Sequence, residues 1–171
     1  MSVVFRAAML VTLALLGNCQ LSDSGQTSGR EGFVKLIPGS SVQTEVRYFS
    51  TNNFVGEVID GYQAPVIYLS LDAYEALRAV LVEAETLGLG IKVFDAYRPQ
   101  QAVDQFVRWA KDLSDIRMKA QYYPEVEKQH LFRDGYIASR SGHSRGSTLD
   151  LTLFELETGK ELEMGTAFDC F

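Results

Sequence analysis

The chain has 171 residues, 46% hydrophobic and 11% aromatic, with 14 Gly and only 4 Pro, which excludes collagen-like, low-complexity and disordered chains. That length suits one compact core rather than several. Sixteen basic against 22 acidic side chains leave a net charge of −6, which argues against nucleic acid or an anionic membrane surface as the main partner.

Residues 1–19 differ from the rest. Arg6 supplies a positive start, and the run from Ala7 to Leu16 is ten apolar or near-apolar residues. A spanning helix needs about 20 such residues and the central part of an export signal roughly 7–15, so the segment reads as an export signal. Leu16-Gly17-Asn18-Cys19 resembles a bacterial lipoprotein box, with Asn18 where a small residue is usual. A lipid anchor at Cys19 is thus the one expected route to a membrane, and the expected location is the periplasm or cell envelope. Residues 20–32 are polar, rich in Ser and Gly and without period, as a flexible linker is. One domain is expected over residues 33–171.

Within it, Phe33–Ile37, Val46–Phe49 and Pro65–Leu69 read as short strands. Asp72, with Glu75 three residues on, has the form of a capping box for a helix whose apolar stripe is Tyr74, Leu77, Leu81 and Ala84 and whose stop is Gly88. Ile91–Tyr97 reads as a strand. Pro99 suits the first position of a second helix carrying Ala102, Val103, Phe106, Val107 and Ala110. Residues 112–135 read as mostly loop. Leu149–Phe154 alternates, Leu149, Leu151 and Leu153 on one face and Thr148, Asp150 and Thr152 on the other. Strands not regularly separated by helices predict an α+β fold, an antiparallel sheet flanked by helices.

Two Cys and two His cannot build a disulfide framework, nor an all-Cys/His structural zinc site unless all four are used. Metal chemistry would therefore recruit carboxylates. The informative stretch is Ser139 to Phe154, which sets His143 in a Ser/Gly/Arg loop seven positions before Asp150. Asp150 either bonds loop N–H groups or shares a metal with His143; imidazole N and carboxylate O both bind zinc at about 2.0–2.2 Å. Ser141, Ser144 and Ser147 are candidates to hold the imidazole in one tautomer. Arg98, delivered at the end of a strand, is either an ion-pair partner of Asp95 or a site residue.

Taken together, Phe94-Asp95-Ala96-Tyr97-Arg98-Pro99, Gly142-His143-Ser144-Arg145-Gly146-Ser147 and Leu149-Asp150-Leu151-Thr152-Leu153 resemble the zinc D-alanyl-D-alanine dipeptidases. Tyr48 to Phe54, Asp60-Gly61-Tyr62, Tyr122-Tyr123-Pro124, Gly135-Tyr136 and Met164-Gly165-Thr166 follow the same family's order. The resemblance implies a hedgehog/D-Ala-D-Ala-peptidase-like fold with a zinc site on the sheet, and a zinc metallopeptidase hydrolysing D-alanyl-D-alanine in cell-wall metabolism. It assigns His143 and Asp150 as two of three ligands of one Zn²⁺. Arg98 becomes the stabiliser of charge on the scissile carbonyl oxygen, and Asp169, with Ser141 beside it, the receiver of the substrate ammonium. The family's Glu-x-x-His element, which brings the general base and the third ligand, has no counterpart here, and His130 reads as a surface residue. The expectation is a copy incomplete at its C-terminus, leaving apolar sheet surface exposed, and the alternative function is an inactive homologue or a module that binds the dipeptide.

Overall fold

The computed structural model describes residues 32–171. The expected export signal, Cys19 and nearly all of the expected linker lie outside the described residues. Five strands and two substantial helices run in the order β1 (Phe33–Lys35), β2 (Val42–Thr44), β3 (Tyr68–Ser70), α1 (Leu71–Thr86), β4 (Leu89–Asp95), α2 (Gln100–Lys111), the single-turn α3 (Lys119–Tyr122) and β5 (Asp150–Glu155). The fold is α+β as expected. β1 pairs with β3 and β4 with β5, both antiparallel. The sheet is nevertheless mixed, because β2 lies parallel to β4 with Val42 opposite Ile91. No helix among the described residues is long and apolar enough to cross a membrane.

Local chemistry explains where the elements depart from expectation. Val46–Phe49 is not a strand: Arg47–Phe49 is a turn of 3-10 helix, closed by Phe49 N donating to Val46 O and by Ser50 Oγ donating to Arg47 O. The strand in this region is β2, three residues whose pairing with β4 no short apolar pattern announces. Asp72 is not the cap of α1. Ser70 is, its hydroxyl accepting from Ala73 N at 3.3 Å, so β3 runs straight into the helix and Asp72 adds its charge to the first turn. Pro99 stands one position outside α2, with its carbonyl accepting from Ala102 N. On β5 the alternation is real but its burial is reversed at the centre: Thr152 is buried while Leu151 is 41% exposed. Thr152 is followed on its own face by Phe154, whose ring is buried over Gly90 of β4, and that packing decides which side faces in.

Two apolar clusters result. One joins β2, β3, β4 and α1 through Val42, Leu69, Leu77, Ile91 and Val93. The other is largely aromatic and packs α2 through Phe106 and Trp109 against Tyr48, Phe54, Tyr122 and Tyr123 from the short turns and loops outside the sheet. Those segments are shaped by buried polar groups. Asn53, fully buried, donates to Ser50 O and Glu57 O at 2.7 Å and accepts from Val55 N and Gly56 N at 3.0 Å. Tyr62 packs against both clusters, so it stands at their seam.

Because a Cβ at Gly90 would meet Phe154 Cζ at 2.3 Å, Gly90→Ala is expected to cost about 1–3 kcal/mol of stability by overpacking. Chemical denaturation checks this; an unchanged midpoint would refute the close packing of β4 on β5.

Candidate metal and catalytic site

β4 ends inside the protein on Asp95, a carboxylate with no solvent exposure. A buried charge needs partners, and three surround it. Tyr62 donates its hydroxyl to Oδ1 at 2.7 Å, Arg98 donates Nε to Oδ2 at 2.9 Å, and His143 Nδ1 lies 3.5 Å from Oδ2. Burial alone would push the Asp95 carboxyl up, and it does so on balance against the lowering effects of Arg98, the Tyr62 hydroxyl and His143. The same burial, with the Asp95 charge beside it, raises the Tyr62 phenol far above its ordinary range, so it remains a donor.

The loop carrying His143 is folded onto this strand end. Residues 142–145 form a 3-10 turn capped by Ser141, whose hydroxyl accepts from His143 N at 3.3 Å, and closed by Gly146 N donating to His143 O. Gly146 has φ +72°, and a Cβ there would meet the Phe33 ring at 2.4 Å, so both conformation and space call for glycine. Arg98 N donates to His143 O at 3.2 Å and Ser70 N to Gly146 O at 2.8 Å, which tie the loop to β3 and to the residues after β4.

The imidazole orientation follows. Nδ1 lies 3.0 Å from Ala96 O, a carbonyl that can only accept, so Nδ1 is the nitrogen that donates and Nε2 is the one turned toward the site. Nε2 points to Asp150 Oδ1 at 3.4 Å. Two donors each about 2.1 Å from one tetrahedral ion stand about 3.4 Å apart, so this pair has the separation of two ligands of a single metal. Asp95, His143 and Asp150 form the acid/His group able to hold a metal ion among the described residues. Asp95, however, is on the Nδ1 side of the ring and already engaged by Tyr62 and Arg98. It therefore stands behind His143, and the candidate ligand pair is His143 with Asp150.

Arg98 completes the cluster. Nη2 donates to Asp150 Oδ2 at 3.3 Å, which leaves Oδ1 to face His143. Its guanidinium carbon lies 5.0 Å from the Tyr48 ring centre and 5.3 Å from that of Phe106, so it rests on the aromatic cluster. Nη1 has no hydrogen-bond partner among the described residues. Side-chain exposure rises from 1% at Asp95 through 10% at His143 and 13% at Arg98 to 28% at Asp150, so the site opens on the Asp150 side.

Asp169 approaches from the other end of the chain. Tyr48 donates to its Oδ2 at 2.7 Å, and among the described residues Asp169 is the non-glycine residue with positive φ, 60°. Burial pushes its carboxyl up to about 7, the Tyr48 bond working against that and the Asp150 charge adding to it. Four of the five residues picked from the sequence, His143, Asp150, Arg98 and Asp169, are thus gathered around the Tyr48 ring and the end of β4. Ser141 is joined to the His143 backbone, and no hydrogen bond links it to Asp169 among the described residues. The serines do not hold the imidazole; the Ala96 carbonyl does, and Ser144 Oγ is buried without a partner. His130 is half-buried in a separate turn, Lys128–His130. Tyr48 and Tyr62 carried no signal beyond their place in the family's order, and Asp95 only that of an acid inside an apolar strand. Arg98 pairs with Asp95 and reaches Asp150 as well. A cavity of about 620 Å³ is lined by Tyr62, Tyr68, Tyr97 and Gln101 among others, with none of the four charged site residues in its lining.

A mixed sheet that ends in a buried acid, beside a histidine–carboxylate pair at ligand spacing, defines a candidate metal site. The family described as D-ala-D-ala dipeptidase matches residues 33–171, and the chain belongs to that family. It is 44% identical over 128 residues to a D-alanyl-D-alanine dipeptidase of Enterococcus faecalis, covering 75% of this chain and 63% of the relative. It is 43% identical over 130 residues to one of Streptomyces coelicolor (76% and 64%), and 34% identical over 128 residues to one of Escherichia coli (75% and 55%). The chain thus spans less than two thirds of the length of these relatives.

The raised Asp169 carboxyl predicts a sign. With its folded pKa of about 7 above the unfolded value near 4, the folded state holds the extra proton between them, so its contribution to stability falls as pH rises from about 4 to 7. Asp169→Asn is expected to flatten that part of the profile and to match or exceed the parent at pH 8. Denaturation at several pH values checks it, and parallel profiles would refute the assignment.

Proposed function

We propose that this chain carries the substrate-cleaving centre of a zinc-dependent dipeptidase acting on D-alanyl-D-alanine or a closely similar short peptide. The carrying observation is the 3.4 Å separation of His143 Nε2 and Asp150 Oδ1, with the guanidinium of Arg98 beside it. His143 and Asp150 would hold the ion, and the imidazole-plus-carboxylate donor set suits zinc. A zinc ion so held lowers the pKa of water from 15.7 to about 7 and polarises a carbonyl.

The protein's own groups supply the rest. Arg98, a permanent cation with a planar donor fork, offers Nη1 to negative charge developing on the carbonyl oxygen. Asp169 offers the carboxyl oxygen not bonded to Tyr48 to a free ammonium; such a cation favours the ionised carboxylate at pH 7, where the group would otherwise be about half protonated. A site that rewards a free amino terminus fits a dipeptide better than an internal bond. The names of the relatives support the choice of D-alanyl-D-alanine.

The apolar run at residues 7–16 supports export to the envelope with lipidation at Cys19. Cell fractionation that finds the intact chain in the cytoplasm would overturn that part. A second reading, for a site that holds the ion through these two donors alone, is a module that binds the dipeptide without turning it over, since catalytic zinc sites ordinarily have three protein ligands.

His143→Ala and Asp150→Ala are each expected to abolish stoichiometric zinc in the purified chain by atomic spectroscopy; retained metal would refute the ligand pair. Where turnover of D-alanyl-D-alanine is measurable, Arg98→Ala is expected to lower kcat roughly a hundredfold or more with little change in KM. A raised KM at constant kcat would instead make Arg98 a ground-state binding group. Zinc binding and dipeptide binding without any turnover would establish the second reading.

A further inference from the structure

Tyr62 takes no part in the function proposed above, yet it is tied to the site more directly than its place in the chain suggests. It lies 33 residues before Asp95, in an irregular segment, and packs against both apolar clusters. Its hydroxyl makes the shortest bond to Asp95, at 2.7 Å to Oδ1. That bond fixes the rotation of a carboxylate whose other oxygen receives Arg98 Nε at 2.9 Å. Arg98 in turn donates to Asp150 Oδ2, and only then is Asp150 Oδ1 the oxygen facing His143 Nε2. Each link in this chain is a group with little alternative. Asp95 has no solvent to turn to, and Arg98 is wedged between Tyr48, Phe106 and the two acids.

We infer that Tyr62 is a positioning residue. Acting through Asp95, it sets the angle of the Arg98 guanidinium and thereby selects which oxygen of Asp150 is free to bind a metal. Without the hydroxyl, Oδ1 of Asp95 is left buried and unpaired, and the carboxylate gains a reason to rotate toward Arg98 or His143. Arg98 can then follow it, and Asp150 loses its fixed orientation. The ring itself is a separate matter, since it fills the seam between the clusters and is retained in Tyr62→Phe. That substitution therefore removes the bond without opening a cavity.

The part of the inference concerning metal rests on the zinc reading above, and the experiment separates the two. The full chain is labelled with ¹⁵N, and exchange of the Arg98 Nε–H proton is followed without metal, the signal being assigned by its loss in Arg98→Lys. Tyr62→Phe is expected to speed that exchange about tenfold, the size of one lost hydrogen bond to a charged group, at a circular dichroism spectrum matching the parent. Zinc alone is then titrated in competition with a chromophoric chelator, and Tyr62→Phe is expected to weaken binding about tenfold or more, as loss of an outer support of a metal ligand does. Asp95→Asn, which keeps the shape but loses the charge, is expected to do both more strongly; should it fail to fold, Tyr62→Phe alone decides. Unchanged Arg98 exchange in Tyr62→Phe overturns the inference whatever the zinc result. If the parent binds no zinc, the metal reading falls while the exchange measurement still decides whether Tyr62 positions Arg98. Accelerated exchange with unaltered zinc affinity would overturn the selection of the Asp150 oxygen.

Discussion

A carboxylate without water governs this structure. Removing an ionised group from solvent costs several kcal/mol even after relaxation, and the cost is offset only when the remaining lone pairs are filled. Asp95 sits at the end of the central strand with 1% of its side chain exposed, and its two oxygens gather a phenol, a guanidinium and an imidazole edge. Those partners come from three separate parts of the chain, and the demand of one buried charge therefore fixes the relative positions of all three.

The arrangement also explains why the fold has two unlike apolar clusters. The aliphatic one holds the sheet against α1, an ordinary task of burial at roughly 25 cal/mol per Å². The aromatic one is built largely by short turns and loops outside the sheet, and it holds a cation: Arg98 rests on Tyr48 and Phe106 while its polar edge reaches two acids. Tyr48 serves both sides, its ring under Arg98 and its hydroxyl on Asp169. An aromatic residue with a polar tip is the only kind that can do both. The charged groups thus lie on the boundary between the clusters, open to solvent only near Asp150.

Much of this was legible in the chain. Helical spacing located α1 and α2 to within two residues, and the alternation after Leu149 located β5, because those periods are set by backbone geometry alone. His143 and Asp150 stood out as scarce ligand types at short spacing before a strand, and Arg98 as a cation at the end of another. β2 escaped notice because three residues carry no period, and its parallel pairing is decided by β4 and the crossover through α1. The cap of α1 was misplaced by two residues because Ser70 and Asp72 both satisfy the local rule, and only the register of β3 chooses between them.

Periodicity by itself determined the α+β class, the resemblance in motif order the family, and the scarcity of ligand-type side chains the candidate site residues. They did so because each is a local or statistical property that survives without a third dimension. Tertiary structure alone decided that the imidazole is held by a backbone carbonyl and not by the neighbouring serines, that Asp95 stands behind His143, and that Tyr62 touches Asp95. Those facts depend on which groups are deprived of water together, and desolvation is a property of the packed chain that no segment of sequence possesses.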